Sequence, residues 1–239
     1  MNIALIIAGG AGHRMQQDIP KQFLNVYDKP VIIYTLEAFQ KHPNIEGIEV
    51  VCLEGWHEIL YAYCKQFNIN KLENIVTGGE NGQASIRNGI NDIKKRHSDD
   101  DIVLIHDAIR PMVSEEIISD CIRVCSAHGN SISVIPCAEA MLRTVDNCSS
   151  NAQVPRDNLK RTQTPQAASL GKLLDAHKRA LEQGITNSVA TFTLFIELGE
   201  VLYFSLGSEK NIKLTPPEDI DIFKALLNSK RDAWKHSCE

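Results

Sequence analysis

The sequence lacks the features of a membrane-spanning or general nucleic-acid-binding protein. No apolar run approaches the roughly 20 residues that cross a bilayer, and no cationic segment precedes the N-terminal apolar run. The formal net charge is −5, whereas a general nucleic-acid binder needs a basic face. We therefore expect no membrane partner, no nucleic-acid partner and a cytoplasmic location.

Metal-binding cysteine patterns are also missing. Seven cysteines occur, but none forms a Cys-x-x-Cys pair. Cys121 and Cys125 are four residues apart in a helical pattern, yet no His or Cys pair accompanies them at zinc spacing. Buried thiols in a reducing compartment fit this pattern better than a zinc site.

Two common nucleotide-binding motifs are incomplete near the N-terminus. A Walker loop ends in Gly-Lys-Ser/Thr, and nothing after the first glycines supplies that ending. The dinucleotide fingerprint needs a third glycine, but Gly10-Ala11-Gly12-His13-Arg14 is followed by Met15. It also needs an acidic residue about 20 positions on, and the next apolar strand ends too far away. We reject both motifs.

The composition is that of a soluble globular protein, with 239 residues, 43% hydrophobic and 23% charged. Apolar runs alternate with helical patterns, which is typical of an α/β fold with a mainly parallel sheet. We predict a single domain over residues 1–239. The polar segment 138–160 breaks the pattern, and its residues fit a surface loop somewhat better than an arm that packs on a partner chain.

The pattern places the secondary-structure elements as follows. Strands are predicted at Ile3–Ala8, Ile48–Cys52, Ile75-Val76, Ile102–Ile105, Ser131–Ile135 and Val201–Phe204. Helices are predicted at Pro30–His42, Trp56–Phe67, Ser85–Ile93, Glu115–His128, Leu170–Glu182 and Thr191–Leu198. A final helix is expected after Thr215-Pro216-Pro217-Glu218, which has the form of a capping box with proline at the first helical position.

A glycine-rich turn follows the first strand. Gly9, Gly10 and Gly12 remove side chains where the backbone must turn tightly, so that N–H groups can face a ligand. Arg14 and Lys21 add positive charge beside this bare backbone. Glycines after a strand are often only a tight turn, but with the cations they predict a pocket for a polyanion such as a nucleotide triphosphate.

Three further groups follow predicted strands, where ligands bind in open α/β sheets. Gly78-Gly79-Glu80 with Ser85 forms a second glycine turn that leads into a helix. Asp107 and Arg110 directly follow the strand at Ile102–Ile105, and Lys213 follows the last strand. Alone, Asp107 would be a turn residue and Lys213 a surface lysine. Beside two glycine turns, Asp107 is better interpreted as a Mg²⁺ ligand, because the ion needs oxygen donors beside phosphates.

Five blocks in this order resemble the CTP-dependent cytidylyltransferases, the family that includes the 2-C-methyl-D-erythritol 4-phosphate and ribitol-5-phosphate enzymes. The resemblance runs from residue 3 to about 225. The blocks are Ala8–Met15 with Pro20-Lys21-Gln22-Phe23, Gly78–Ser85, His106–Pro111, Gln163-Thr164-Pro165-Gln166, and Asn211–Thr215 with Pro217-Glu218-Asp219.

The resemblance implies a Rossmann-like nucleotidyltransferase fold, a twisted and mainly parallel sheet flanked by helices, with a protruding dimerisation arm at about 138–160. It implies an enzyme that transfers CMP from CTP to the phosphate of a small polyol phosphate and releases pyrophosphate. Mg²⁺ is the expected cofactor, with Asp107 as its ligand. A homodimer through the arm is the expected assembly.

The resemblance also assigns roles to individual residues. The nucleotide-binding residues would be Ala8, Gly9, Gly10, Ala11, Gly12, Gly79, Glu80, Ser85 and Asp107. The catalytic residues, around the α-phosphate, would be Arg14, Lys21 and Lys213. The acceptor-binding residues would be Arg110, Arg156, Thr164 and Thr186, with Arg156 carried by the arm into the neighbouring subunit's site. His13 and His106 need not be catalytic, because the acceptor phosphate is already an anionic nucleophile.

Three positions depart from the family pattern, and most of the change falls on the acceptor side. Gly82 stands where relatives have arginine, Ala140 where they have threonine, and Asn187 where they have aspartate. The acceptor therefore stays open between methylerythritol phosphate, ribitol phosphate and another polyol phosphate. The competing hypotheses are a nucleotidyltransferase that uses another nucleoside triphosphate with a sugar phosphate, and a nucleotide-binding protein without turnover.

Overall fold

The computed structural model describes residues 1–10, 19–188 and 192–236, the stretch 230–236 by its backbone alone. In chain order the strands are β1 (Asn2–Ala8), β2 (Asn25–Val26), β3 (Lys29–Pro30), β4 (Gly47–Cys52), β5 (Leu72–Thr77), β6 (Ile102–Asp107), β7 (Asn130–Pro136), β8 (Met141–Arg143), β9 (Ala152–Val154), β10 (Lys160–Ser169) and β11 (Phe204–Leu206). The helices are α1 (Val31–Lys41), α2 (His57–Gln66), α3 (Gly82–Ile93), α4 (Glu115–His128), α5 (Leu170–Glu182), α6 (Thr193–Glu197) and α7 (Asp219–His236).

The centre of the fold is a seven-stranded sheet with the order β11-β7-β10-β6-β1-β4-β5. Strand β10 runs antiparallel to both of its neighbours, β6 and β7, and the other neighbouring pairs of this sheet are parallel. The predicted α/β fold with a mainly parallel sheet is confirmed. Because parallel strands end at the same edge, the residues that follow β1, β5 and β6 gather there.

Helices cover both faces of the sheet, and the alternation of side chains along β1 shows why. Ala4 and Ile6 point into a core formed with α1, α2 and α4, whereas Ile3 and Leu5 point into a core formed with α3, α5 and α6. Successive side chains of a strand face opposite sides, so an uninterrupted apolar run serves two cores. A smaller core joins α7 to the β2–β3 hairpin through Val26 and Phe223.

Side-chain caps fix the start of several helices. Ser114 accepts a hydrogen bond from the Ile117 amide at 3.5 Å, as predicted for α4, and Ser169 caps α5 in the same way. The predicted capping box of the last helix is wrong. That helix begins at Asp219, and the Asp219 carboxylate accepts from the Thr215 amide at 2.7 Å. The residues 216–218 form a turn before it.

Other boundaries also differ from the prediction. The last strand lies at Phe204–Leu206 and not at Val201–Phe204, because it pairs with Ile132–Val134 of β7 through those residues. The sequence pattern missed β10, whose Gln163-Thr164-Pro165 segment is polar and interrupts the register with β7. The predicted helix at Thr191–Leu198 is shorter, at Thr193–Glu197, and Thr191 lies outside the described residues.

The 138–160 segment contains an antiparallel hairpin of β8 and β9, in which Met141 pairs with Val154. Its side chains are almost all exposed, and Val145 is 98% exposed. The segment is therefore a hairpin that leaves the body of the chain, more ordered than a surface loop.

In the described part of the chain, no helix has both the length and the apolar character that crossing a bilayer requires.

Candidate active site

A cavity of about 960 Å³ opens at the carboxyl ends of β1 and β6 and extends along β10 and the start of α3. It brings together most of the predicted site residues. The predicted residues that line it are Ala8, Gly9, Gly10, Lys21, Gly79, Glu80, Ser85, Asp107, Arg110, Thr164 and Lys213.

The two predicted glycine turns touch each other at the cavity wall. A Cβ on Gly9 would lie 3.4 Å from the Cα of Gly78, and a Cβ on Gly79 would lie 2.5 Å from the Cβ of Ala84. Contacts this close exclude a side chain at Gly79 unless the start of α3 moves. The hydroxyl of Ser85 accepts from the Gly79 amide at 3.0 Å, which ties the second turn to α3.

The first glycine turn is held by Gln22, a residue that the sequence pattern left without a role. Gln22 is 2% exposed, and its Nε2 donates to the carbonyls of Ala8 at 2.8 Å and Gly10 at 3.0 Å. Both carbonyls are thereby satisfied within the protein, as buried acceptors require. Gln22 belongs to a 3₁₀ helix that begins at Lys21, so the same short element carries the lysine to the cavity.

The start of α3 forms another wall. Asn81 caps the helix by accepting from the Ala84 amide at 2.9 Å, and its Nδ2 donates to the Thr186 carbonyl at 3.1 Å. Gln83 is buried and donates from Nε2 to the Ile185 carbonyl at 2.7 Å. A capped helix start offers amide groups and the positive end of the helix dipole to an anion. Gly82 faces open space, because a Cβ at this position would have no described heavy atom of another element within 4 Å.

Asp107 stands at the end of β6 between two cations. Its Oδ2 lies 3.1 Å from Nζ of Lys213 and 3.1 Å from Nε of Arg110. Burial by itself raises the pKa of this carboxyl, but the attraction of Lys213 and Arg110 outweighs it and leaves the pKa below its ordinary value. Asp107 is therefore an anion flanked by cations at neutral pH.

His106 and Thr164 are joined by a buried hydrogen bond, and Thr164 also contacts the backbone of Asp107. The Thr164 hydroxyl accepts from the Asp107 amide at 3.1 Å and lies 3.0 Å from Nδ1 of His106. The other ring nitrogen, Nε2, lies 3.2 Å from the Arg110 carbonyl and must donate to it, so Nδ1 accepts from Thr164. Burial lowers the pKa of His106 to about 4, and the imidazole is neutral. It orients Thr164 and the Asp107 backbone.

The polar segments 163–166 and 211–215 hold Arg110 and Thr164 in place through hydrogen bonds. Arg110 donates from Nη1 to the Asn211 carbonyl at 2.8 Å, and Asn211 donates from Nδ2 to the Thr164 carbonyl at 2.8 Å. Gln163 accepts from the Ser208 amide at 3.1 Å. Asn211 is fully buried, so β10 and the segment that carries Lys213 are joined by a buried polar network.

The described lining of the cavity does not include every predicted site residue. Ala11, Gly12 and Arg14 fall outside the described residues. Arg156 lies on the exposed segment after β9, does not line the cavity of its own chain, and donates to the Ala138 carbonyl at 2.9 Å. Thr186 is exposed beside the cavity, and its carbonyl accepts from Asn81.

Comparison with known proteins agrees with this geometry. The family model for 2-C-methyl-D-erythritol 4-phosphate cytidylyltransferase, IspD, matches residues 2–229. The chain is 42% identical to the ribitol-5-phosphate cytidylyltransferase of Lacticaseibacillus paracasei over 96% of this chain and 99% of that one. It is 36% identical to the 2-C-methyl-D-erythritol 4-phosphate cytidylyltransferase of Clostridium botulinum, over 95% and 97% of the two chains. The crystal structure of the Francisella tularensis enzyme of that name superposes with a TM-score of 0.76 at 28% identity, over 93% and 98% of the two chains.

Proposed function

The chain belongs to the 2-C-methyl-D-erythritol 4-phosphate cytidylyltransferase family, and we propose that it transfers CMP from CTP to ribitol 5-phosphate or a close polyol phosphate. An oxygen of the acceptor phosphate attacks the α-phosphorus of CTP. A new P–O bond forms, the bond to the bridging oxygen of the β-phosphate breaks, and pyrophosphate leaves. The observation that supports this most is one cavity lined by Gly9, Gly79, Asp107 and Lys213.

The choice of acceptor is supported by the degree of similarity to the two kinds of relative. The ribitol-5-phosphate enzyme of L. paracasei is 42% identical and the methylerythritol enzyme of C. botulinum 36% identical to this chain. Ala140 and Asn187 remove a hydroxyl and a carboxylate from the predicted acceptor side. A changed acceptor side, with a nucleotide side that departs from the family pattern only at Gly82, fits a polyol other than methylerythritol.

The residue types suit a reaction that needs charge stabilisation and no general base. The acceptor phosphate is anionic, so the protein must bring two anions together and stabilise charge on the α-phosphate. Lys21 and Lys213 line the cavity for this task, and Arg14 is proposed to join them. His106 is not a candidate base, because it is buried and neutral and both of its nitrogens are hydrogen-bonded.

Asp107 fits a Mg²⁺ ion that is held mainly by substrate phosphates. Its carboxylate is 22% exposed at the cavity, and the hydrogen bonds and ion pairs described for it all involve Oδ2. Among the described residues no cluster of three or more His, Cys, Asp or Glu is arranged to hold a metal. Mg²⁺ is commonly bound by one or two carboxylates with phosphates and water, so a single aspartate is a sufficient protein donor. When bound, the ion would neutralise phosphate charge.

The assembly and location belong to the same proposal. The β8–β9 hairpin is mostly polar but exposes Met141, Leu142 and Val145, and these exposed apolar side chains support a homodimer in which Arg156 reaches the partner's acceptor site. The six cysteines within the described residues are free thiols, which supports a reducing, cytoplasmic compartment. We treat residues 1–239 as one catalytic domain.

A substrate matrix tests the proposed function. The protein is incubated with each of CTP, UTP, ATP and GTP and with ribitol, methylerythritol, glycerol and ribose phosphates, with and without Mg²⁺, and pyrophosphate is measured. We expect release with CTP, Mg²⁺ and ribitol 5-phosphate. Preference for another triphosphate with a sugar phosphate would support the first competing hypothesis, and CTP binding without release from any acceptor the second.

A further inference from the structure

Gln83, in the first turn of α3, holds a short segment of the chain, residues 185–188. The side chain of Gln83 is buried, its Nε2 donates to the Ile185 carbonyl at 2.7 Å, and its Oε1 accepts from the Ser188 amide at 2.9 Å. The segment is neither helix nor strand, and Ser188 also donates from Oγ to Glu197 of α6. One amide side chain therefore pairs with the backbone at both ends of the segment and fixes its course.

Asn81 makes a third bond to the same segment and caps α3 at the same time. Its Nδ2 donates to the Thr186 carbonyl at 3.1 Å, and its Oδ1 accepts from the Ala84 amide at 2.9 Å. Asn81 and Gln83 both line the cavity, but the amide oxygen and the amide nitrogen of each are hydrogen-bonded within the protein. Such side chains suit the placement of a neighbouring segment better than direct contact with a ligand.

The start of α3 connects the predicted nucleotide side of the cavity with a predicted acceptor residue. Ser85 of this helix accepts from the amide of Gly79, in the second glycine turn, at 3.0 Å. Ser188 lines the cavity, and Thr186 is exposed beside it. The glycine turn and the 185–188 segment are thus held by the same helix start, through different side chains.

We propose that Asn81 and Gln83 are positioning residues for the acceptor, because they hold the 185–188 segment so that the Thr186 side chain meets the polyol phosphate. The inference rests on the proposed function, since it takes Thr186 as one of the acceptor-binding residues. The glycine turn keeps its own bond to Ser85 when the two amides are changed, so the affinity for CTP depends little on them.

Asn81→Ser and Gln83→Met test the two residues separately. Serine keeps a helix cap but is too short to reach the Thr186 carbonyl, and methionine keeps the length of glutamine without its polar atoms. We expect the KM for ribitol 5-phosphate to rise about three- to tenfold in Asn81→Ser, the effect of one lost hydrogen bond, and about tenfold or more in Gln83→Met. The Kd for CTP, measured by calorimetry, should stay within about twofold of the wild type.

A double-mutant cycle shows whether Asn81 acts through Thr186. Thr186→Val keeps the shape of the side chain and removes its hydroxyl, so it should raise the acceptor KM by itself. Adding Asn81→Ser to Thr186→Val should then raise the KM by less than about twofold more, because the group that Asn81 places is already absent. Fully additive effects, or an unchanged acceptor KM in Thr186→Val, overturn the positioning role.

Hydrogen exchange tests the contact without turnover. The Ser188 amide donates to Gln83, so its exchange should be slow in the wild type and about tenfold faster or more in Gln83→Met. Ser169→Ala is the structural control, because it removes the cap of α5 and Ser169 does not line the cavity. It should lower the melting temperature without changing the ratio of the acceptor KM to the CTP KM.

The outcomes separate this inference from the proposed function. Equal exchange of the Ser188 amide in the wild type and Gln83→Met, or a loss of CTP affinity in Asn81→Ser as large as the rise in acceptor KM, overturns the positioning role while the proposed function stands. A selective rise of the acceptor KM in Ser169→Ala assigns the effect to stability and also overturns it. Absence of pyrophosphate from the wild type overturns the proposed function and the inference together.

Discussion

The ammonium group of Lys213 lies 3.1 Å from the carboxylate of Asp107, although the two residues belong to distant parts of the chain. Lys213 is 46% exposed and Asp107 is 22% exposed, so the pair faces the cavity and incoming phosphates can compete for the lysine. Arg110 holds the same carboxylate oxygen of Asp107. The arrangement keeps two cations at the cavity around one carboxylate, and it leaves a net positive charge that favours an anion.

Replacing Asp107 with asparagine preserves its shape and removes its charge. We expect the turnover of Asp107→Asn to fall roughly 10²–10³-fold, because the proposed Mg²⁺ ligand is lost and the cations around it are left without their counter-charge. Kinetics across a Mg²⁺ titration will check this and should show a raised Mg²⁺ requirement. Asp221→Asn, at an exposed position of α7, is the matched control. Equal Mg²⁺ dependence in both variants would contradict the role.

Lys21 is expected to act on the transition state more than on CTP binding. Lys21→Ala should lose roughly 10²–10³ in turnover, with a smaller change in the affinity for CTP, because charge on the α-phosphate grows as the reaction proceeds. Pre-steady-state kinetics and CTP titration separate the two effects. Lys65→Ala, which removes an exposed lysine of α2, serves as the control. A turnover close to that of the wild type in Lys21→Ala would rule out the assignment.

Gln22 offers a test of how the first glycine turn is held. Gln22→Glu places a carboxyl against the carbonyls of Ala8 and Gly10, and only its protonated form can donate to one of them. We expect a raised KM for CTP at pH 8 and partial recovery toward pH 5.5, measured against the wild type at each pH. Gln40→Glu is the control, because Gln40 uses its Oε1 to accept from the Lys71 amide, and a carboxylate keeps that bond. Parallel pH profiles for Gln22→Glu and Gln40→Glu would refute the role of Gln22 in holding the first glycine turn.

Glu49 should make stability depend on pH. It is fully buried in β4, its Oε2 accepts from Nη2 of Arg96 at 2.6 Å, and its Oε1 has no partner among the described residues. Burial, with Asp92 nearby, raises its pKa from 4.5 to about 8. The folded state therefore holds a proton that the unfolded state releases above about 4.5, so the contribution of Glu49 to stability falls as the pH rises through this window and levels off above about 8.

Chemical denaturation at pH 5, 6.5 and 8.5 measures this effect. We expect the difference in free energy of unfolding between Glu49→Gln, which mimics the protonated form, and the wild type to grow by roughly 2–4 kcal/mol from pH 5 to pH 8.5. The lowered pKa values of the buried His106 and His177 give a slope of opposite sign, but they contribute equally to both proteins and cancel in this difference. The pKa of Asp92 lies below its ordinary value because its bonds to Lys95, Asn74 and Arg96 outweigh its burial, so Asp92 stays ionised throughout this window and adds no slope. Glu58→Gln, on the exposed side of α2, should follow the wild type. A difference between Glu49→Gln and the wild type that stays constant with pH would exclude the assignment to Glu49.

Local pattern was sufficient for much of the fold and part of the site. The run Ile3–Ala8 predicts a strand, which is observed at Asn2–Ala8, and Ser114 with the apolar spacing after it predicts α4 at its observed bounds. These features depend on neighbours in sequence, whose periodicity and capping chemistry are visible in the letters. The turns after β1 and β5 were predictable for the same reason, because glycine is the residue that tight turns require.

The sequence by itself determined the α/β class, the glycine turns and the residue types of the site, since each depends on local conformational preference. Only the tertiary structure decided that the polar strand β10 lies inside the sheet, that Gln22 holds the carbonyls of Ala8 and Gly10, and that Gln166 and His177 line the cavity. These contacts join residues far apart in the chain. The sequence does not distinguish a solvated polar side chain from one that is buried with a hydrogen-bond partner. The packing of distant segments against each other decides which of the two environments a polar residue has.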